Sequence, residues 1–187
     1  SNNKFLTNEE FQSKFDIDLN KPTILSTFHP ETVSFEKNEQ YIQELIGAFD
    51  DLKNKYQLVI TMPNTDTMGQ MIRDKLLLFG KENSEVKIVE SFGMLGYLSC
   101  MKQCAFMLGN TSSGFVEASY FPTFVINVGE RQRGRIETKN IFTVPVSKDE
   151  ILKKVTEIEN KRVSHNENVY GIGEAAEKII DYIKRLN

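Results

Sequence analysis

Several features that identify other classes of protein are scarce in this sequence of 187 residues. It has only two cysteines, Cys100 and Cys104. Two are too few for a disulfide framework, and their spacing on a predicted helix does not complete a metal site. We interpret both as small core residues in a reducing compartment. The formal net charge of −3 offers no basic surface for nucleic acid or an anionic membrane, so we expect neither partner.

Long apolar runs are also missing. No run approaches the roughly 20 residues that span a membrane, and no signal peptide is apparent. Because the chain opens with Ser1-Asn2 rather than with Met, we expect the natural start to lie upstream. We expect a cytoplasmic protein. No internal repeat is visible, and the length suffices for one domain with a sizeable core.

Apolar strands and amphipathic helices alternate along the chain. The predicted strands are 23–28, 58–62, 86–89, 105–108, 122–128 and 140–146. The predicted helices are 39–53, 68–79, 94–102, 115–121, 151–159 and 173–186, and Ser147 with Glu150 predicts a capping box for the fifth of these. Strands separated by single helices indicate a three-layer α/β sandwich, in which helices cover both faces of a mostly parallel sheet.

The first 21 residues differ from the rest of the chain. Thr7 with Glu10 signals one short helix, and a polar stretch follows it. We interpret residues 1–21 as a linker with a short N-terminal helix, or as an edge that packs on something absent. Residues 22–187 would then form the main domain.

The most informative segment follows the predicted strand at 105–108. Glycines and hydroxyl residues fill 109–114, where a strand passes into a predicted helix. Such a junction presents backbone N–H groups and the positive end of a helix dipole, which suit a phosphate. Thr111, Ser112 and Ser113 could serve only as helix caps, but one cap residue is enough. Glu117 is either a residue at the core edge or an acceptor for two sugar hydroxyls, so the segment predicts a nucleotide or nucleotide-sugar site.

Other candidates follow the carboxyl ends of strands, where parallel sheets bind ligands. His29 could donate to a phosphate or protonate a leaving oxygen, or it could be a loop histidine bonded to backbone. Arg131 and its neighbours Arg133 and Arg135 suit phosphate oxygens, although exposed arginines often pair with nearby glutamates. Phe92 and Tyr97 could line a base site or belong to the core.

Two common catalytic patterns are absent from the turn at 109–114. It lacks the ending of a Walker loop, and Ser112-Ser113-Gly114 is not a nucleophile elbow. We therefore predict no serine nucleophile, no metal ion and no cofactor.

Four segments taken in order, 26–32, 62–66, 109–117 and 126–135, resemble the UDP-N-acetylglucosamine 2-epimerases. The resemblance covers nearly the whole chain. It implies the C-terminal, UDP-binding Rossmann-like half of a glycosyltransferase-B-type fold. The text of the last two segments resembles the hydrolysing branch, which releases N-acetylmannosamine and UDP for sialic-acid synthesis. A related enzyme of that branch acts on a diacetamido-trideoxy sugar.

The resemblance also implies a mechanism and a set of roles. The C2 proton and UDP leave to give a 2-acetamidoglucal, and water then adds at C1 while C2 is protonated from the opposite face. His29 would contact the diphosphate and assist its departure, Glu117 would bind the ribose, and Arg131 would reach the nucleotide. The substrate-binding residues implied are Asn64, Phe92, Asn110, Thr111, Ser112, Ser113, Gly114, Glu117 and Arg131.

The resemblance assigns the C2 acid and base mainly to an N-terminal domain that this chain does not contain. The isolated chain is therefore expected to bind UDP or UDP-N-acetylglucosamine without turning the sugar over, and the full enzyme to be a homo-oligomer. Two alternatives stay open. One is the donor domain of a UDP-sugar glycosyltransferase, and the other is a stand-alone nucleotide-binding module.

Overall fold

The computed structural model describes residues 5–32, 34–64, 69–163, 169–171 and 175–185. Its strands are β1 Thr23–Thr27, β2 Gln57–Thr61, β3 Val86–Val89, β4 Phe106–Gly109, β5 Phe124–Val128 and β6 Ile141–Val144. Its helices are α1 Asn8–Phe15, α2 Asn38–Leu52, α3 Gly69–Glu82, α4 Gly93–Gln103, α5 Lys148–Ile158 and α6 Ala175–Arg185. Among these residues, no helix has the length and apolar character needed to cross a membrane.

The six strands form one parallel sheet in the order β3-β2-β1-β4-β5-β6. The chain builds outward from β1 to β3 and then crosses back to place β4 on the other side of β1. Thr27, the last residue of β1, is therefore the neighbour of both Thr61 and Gly109. The predicted α/β class with a parallel sheet is confirmed, and the strand order places a topological switch point between β1 and β4.

Apolar side chains fill both faces of the sheet, because successive strand residues point to opposite sides. Ile24 belongs to a core cluster that includes Phe49 of α2, whereas Leu25 belongs to a second cluster with residues of α1 and α4. Cys100 and Cys104 lie buried in this second cluster as free thiols, in agreement with their interpretation as core residues.

The N-terminal helix is part of this packing. The predicted short helix is confirmed, and it begins with a capping box in which Thr7 Oγ1 accepts a hydrogen bond from Glu10 N and Thr7 N donates to the Glu10 carboxylate. Phe11 is fully buried, with its ring centroid 5.2 Å from that of Phe92. A segment expected to be a linker thus contributes to the second core cluster, and the domain boundary at residue 21 stays a prediction.

The capping box predicted from Ser147 and Glu150 is wrong. The Ser147 side chain makes no capping hydrogen bond. Instead, the N–H of Lys148 at the start of α5 donates to the Glu44 carboxylate of α2 at 2.7 Å. A carboxylate from a neighbouring helix thus satisfies this end of α5 and complements its dipole.

The helix predicted over 115–121 is also wrong. Two short 3-10 turns, Ser112–Gly114 and Glu117–Tyr120, occupy this region. The Ser119 hydroxyl donates to the backbone oxygen of Val116, a local bond that competes with a regular helix. Pro122 then favours the extended conformation seen at Phe121 and ends the segment.

Candidate functional site

The carboxyl ends of β1 to β4 open into a cavity of about 410 Å³. Thr27 and Thr61, the last residues of β1 and β2, line it, and their hydroxyl groups are hydrogen-bonded to each other. The loop after β3 and the first turns of α4 contribute a second part of the lining, and Thr111, Ser113 and Glu117 contribute a third. The cavity therefore lies at the topological switch point, where parallel sheets bind ligands.

Close packing of the backbone shapes the turn after β4. A Cβ atom on Gly109 would lie 2.1 Å from the backbone oxygen of Thr27, and one on Gly114 would lie 2.8 Å from Val125 Cγ1. Only glycine fits these two positions without a shift of the neighbouring atoms. The turn is thereby held against the ends of β1 and β5.

The same turn is a weaker helix N-terminus than its sequence predicts. The N–H groups of Ser113 and Gly114 already bond to Thr111, the first to its hydroxyl at 3.4 Å and the second to its backbone oxygen at 3.2 Å. A 3-10 turn of three residues also has little dipole. Phosphate binding at this place would therefore depend mainly on the hydroxyl groups of Thr111, Ser112 and Ser113.

Glu117 lies half-buried in the lining of the cavity. Among the residues that the structure describes, its carboxylate makes no hydrogen bond or ion pair. A partly buried carboxylate without a partner is costly, and hydroxyl donors of a ligand would offset that cost. Glu117 is thus placed as the sequence predicted, at the mouth that also contains Thr111 and Ser113.

Asn110 supports the site from behind. Its side chain is fully buried, where its oxygen accepts from His29 N at 2.7 Å and its amide group donates to His29 O at 2.8 Å. Its backbone oxygen accepts from Gln132 Nε2 at 2.8 Å. Asn110 was expected to touch the substrate, but this geometry gives its side chain a positioning role toward His29, and neither residue lines the cavity.

The loop after β5 is attached to the same region through Glu31. This carboxylate is 3% exposed and accepts from the N–H groups of Glu130 at 3.2 Å and Arg131 at 3.1 Å. Gly129 has a φ of 80°, and a Cβ atom there would lie 2.5 Å from Glu31 Oε1. Sequence reasoning gave Glu31 no role, although its place directly after His29-Pro30 was a usable signal.

The three arginines of that loop have different surroundings. Arg131 Nη1 donates to the backbone oxygen of Pro30 at 2.8 Å, which holds the guanidinium beside the His29 turn. Arg133 is largely exposed and lies 3.9 Å from Glu130, and Arg135 Nε donates to Gln132 at 2.6 Å. Arg131 is therefore held beside His29, although it is exposed and outside the lining of the cavity, whereas the alternative interpretation, a surface or paired arginine, describes Arg133 and Arg135.

The two aromatic candidates also differ. The ring of Phe92 packs in the core against Phe11 and Phe15, at centroid distances of 5.2 and 4.7 Å. Phe92 is also among the residues that line the cavity. Tyr97 lines the same cavity from α4, and its hydroxyl oxygen is buried. The core interpretation thus applies to the Phe92 side chain.

Asn64 is exposed in a neighbouring cavity of about 370 Å³. This cavity shares Met62 and Glu90 with the first one. Arg73 closes it from α3, where it donates to the backbone oxygen of Pro63 at 3.0 Å and pairs with Glu90. Asn64 is therefore close to the main cavity without lining it. The rest of its turn, 65–68, lies outside the described residues, as does His165.

Comparison with known proteins relates the chain to one family. The profile of the family described as UDP-N-acetylglucosamine 2-epimerase matches residues 2–184. The chain is similar to the GDP/UDP-N,N'-diacetylbacillosamine 2-epimerase (hydrolyzing) of Campylobacter jejuni, with 34% identity over 163 residues, 86% of this chain and 42% of the relative. It is also similar to the UDP-N,N'-diacetylbacillosamine 2-epimerase (hydrolyzing) of Legionella pneumophila, with 30% identity over 98% of this chain and 48% of the relative.

A solved structure shares the fold. The UDP-GlcNAc 2-epimerase of Neisseria meningitidis, bound to UDP-GlcNAc, superposes with a TM-score of 0.75 at 19% identity, over 95% of this chain and 48% of that chain. The chain thus spans about half the length of the relatives and the structure that it matches.

Proposed function

The chain belongs to the UDP-N-acetylglucosamine 2-epimerase family, and from that premise we propose that it is the UDP-binding half of a hydrolysing 2-epimerase. The observation that carries this proposal is the cavity at the switch point, where the unpaired carboxylate of Glu117 faces the same space as the hydroxyl groups of Thr111 and Ser113. A nucleoside diphosphate offers ribose hydroxyls to the first and phosphate oxygens to the second.

Within this proposal, each part of UDP has its own set of residues. The ribose diol donates to Glu117. The hydroxyl groups of Thr111, Ser112 and Ser113 donate hydrogen bonds to the phosphates, and Gly114 allows the phosphates to approach closely. The base lies against the backbone of Phe92, near Asn64. Arg131 supplies positive charge from the His29 side, because its guanidinium is fixed on Pro30 O.

His29 is proposed to assist departure of the diphosphate. An imidazole beside the leaving group can donate a hydrogen bond or a proton to the phosphate oxygen as the bond from C1 breaks. The Asn110 clamp on both backbone groups of His29 would keep that turn fixed during the step. Asn110 is thus proposed to act through His29 rather than on the substrate.

Removal and return of the C2 proton would need groups outside this chain. Loss of the C2 proton together with UDP gives a 2-acetamidoglucal, and addition of water at C1 with protonation at C2 gives the free 2-epimer. The half-length coverage of the relatives supports a second half that carries the acid and base. The isolated chain is therefore proposed to bind UDP without catalysing epimerisation.

A surface of α6 supports the existence of that second half. Ile179, Ile180, Tyr182 and Ile183 lie at helical spacing and are 51–66% exposed. Contiguous exposed apolar residues on one helix usually mark an interaction site. We assign this surface, named here the α6 apolar face, to contact with the missing half.

The sugar is proposed to be a UDP-linked N,N'-diacetylbacillosamine. The sequence alone favoured UDP-N-acetylglucosamine, with the diacetamido sugar as an alternative. Both curated relatives described above carry the diacetamido sugar in their names, and that observation favours the alternative. Either sugar retains the 2-acetamido group that the glucal mechanism needs.

An activity assay of the full-length enzyme tests this proposed function. Incubation with each UDP sugar should release UDP and the free 2-epimer without any added acceptor, and faster from the diacetamido substrate. His29→Ala should lower kcat by about 100-fold or more, in the range for loss of general acid catalysis, whereas Arg133→Ala should not. A product formed only with an acceptor sugar would instead identify a glycosyltransferase.

A further inference from the structure

The cavity contains a polar group that the proposed function leaves unused, the hydroxyl of Tyr97. Tyr97 projects from α4 into the lining that also contains Thr27, Ser113 and Glu117. Its oxygen is buried and has no hydrogen-bond partner among the described residues. Buried polar groups in native proteins are nearly always paired. A buried hydroxyl without a partner in the lining of a ligand cavity suggests that its hydrogen bond forms when the ligand binds.

The surroundings of Tyr97 indicate which atom that partner is. Burial raises the pKa of the phenol above 10, with the hydroxyl groups of Thr27 and Ser113 opposing the shift, so Tyr97 is a neutral donor at pH 7. Thr27 is already bonded to Thr61. Ser113 Oγ lies beside the phenol and has no other hydrogen bond among the residues that the structure describes, which leaves it as the acceptor.

We propose that Tyr97 is a positioning residue for the diphosphate, whose hydroxyl donates a hydrogen bond to Ser113 Oγ while the Ser113 hydroxyl donates a hydrogen bond to a phosphate oxygen. A serine hydroxyl has one proton and two lone pairs, so it can serve both neighbours at once. Hydrogen bonds in such a chain polarise and strengthen one another. The inference rests on the proposed function, since it requires a diphosphate in this cavity.

The proposed role predicts that Tyr97→Phe changes the affinity for UDP without lowering the thermal stability. Tyr97→Phe removes only an oxygen that has no partner in the free protein, so the Tm should be unchanged or slightly higher. The same change removes one link of the chain to the phosphate, so the Kd for UDP should rise about 3- to 10-fold, the range for one hydrogen bond between neutral groups. A residue needed only for packing would not show this combination.

Tyr56→Phe is the matched control. It deletes the same atom, but the Tyr56 hydroxyl is hydrogen-bonded to Glu159 at 3.1 Å and does not line the cavity. This control should lower the Tm and leave the Kd for UDP within twofold of the wild type. The two variants should therefore give opposite patterns.

The test is a double-mutant cycle by calorimetric titration of the 187-residue chain with UDP, using wild type, Tyr97→Phe, Ser113→Ala and the double variant. If Tyr97 acts through Ser113, Tyr97→Phe should weaken binding in the wild type and have no further effect in the Ser113→Ala background. Unchanged affinity of Tyr97→Phe, or losses that multiply independently, would overturn the inference alone. Failure of the wild type to bind UDP would overturn the proposed function and this inference with it.

Discussion

At the residue scale, two buried side chains hold the backbone of the site in place. Asn110 joins the turn after β4 to His29, 81 positions earlier, and Glu31 joins the turn after β1 to Glu130, 99 positions later. The sequence predicts these turns but not the bonds between them. Asn110 is predicted to bind substrate and Glu31 is given no role, because a bond between two turns depends on strand order, which residue types do not reveal.

The Asn110 clamp can be tested by substitution. Asn110→Ala should lower the free energy of unfolding by about 2–4 kcal/mol, because it leaves two backbone groups of His29 without their partners. Urea denaturation measures the loss, and hydrogen exchange at the His29 amide should accelerate. Asn20→Ala, which removes an exposed asparagine, should change stability by less than about 0.5 kcal/mol. Equal effects of the two variants would refute the clamp.

The two thiols predict how stability depends on alkaline pH. Burial raises the pKa of Cys100 from 9.0 to about 12 and that of Cys104 well above 9.0. Because the folded-state pKa values are raised, the stability that the buried neutral thiols contribute is fully present below pH 9. It is lost as the pH rises toward 12. Tyr56, whose pKa burial and Glu159 raise to about 12, should add to the loss above pH 10.

Chemical denaturation between pH 8 and pH 11 measures this decline. A Cys100→Ala, Cys104→Ala double variant should lose the part of the decline that begins near pH 9. At pH 8 a thiol reagent should label neither cysteine of the folded protein and both after unfolding. Rapid labelling of the folded chain would show that the thiols are not buried as described.

At the scale of secondary-structure elements, the sequence predicts a helix boundary correctly where the residues that fix it are close in sequence. The prediction fails where a distant residue fixes the boundary. Thr7 and Glu10 cap α1 as their spacing predicts, because both partners lie within one turn. The start of α5 is satisfied from α2, and the segment after β4 forms 3-10 turns where a helix was expected. Helical periodicity in a segment of seven residues cannot decide between these two kinds of helix.

The distant cap of α5 gives an element-scale prediction. Glu44→Ala should destabilise the protein by about 1–2 kcal/mol, because the Lys148 N–H loses a charged acceptor. Ser147→Ala should have almost no effect, since that side chain makes no capping bond. Thermal denaturation of the two variants shows which side chain stabilises the start of α5. A larger loss of stability for Ser147→Ala than for Glu44→Ala would support the capping box that the sequence predicts.

The fold of the whole molecule is predictable because apolar strands and helical segments recur along the sequence. Apolar strands that alternate with helical segments over most of the chain predict a parallel sheet, and the rule that ligands bind at strand carboxyl ends selects the turns that contain Thr111, Ser113 and Glu117. The cavity itself was not predictable. It depends on how α4 and the residue before it place Tyr97 and Phe92 against those turns, and on packing between residues far apart in sequence.

The α6 apolar face makes a prediction for the full-length enzyme. Ile180→Glu with Ile183→Glu should lower its Tm and its activity, because both residues would be buried against the second half. The same pair of changes in the 187-residue chain should leave the Tm unchanged, since both side chains are exposed there. Arg185→Glu, on the polar side of α6, is the control. Full activity of the double variant would refute this assignment.

The central claim is that this chain binds UDP with the ribose on Glu117. Calorimetric titration of the isolated chain tests it most directly, with UDP and inorganic pyrophosphate as ligands for the wild type and for Glu117→Ala. The account predicts that the wild type binds UDP and that Glu117→Ala weakens UDP binding about 10- to 100-fold, with little change for pyrophosphate, which has no ribose. Absence of wild-type binding at millimolar UDP, or equal losses for both ligands, would contradict it.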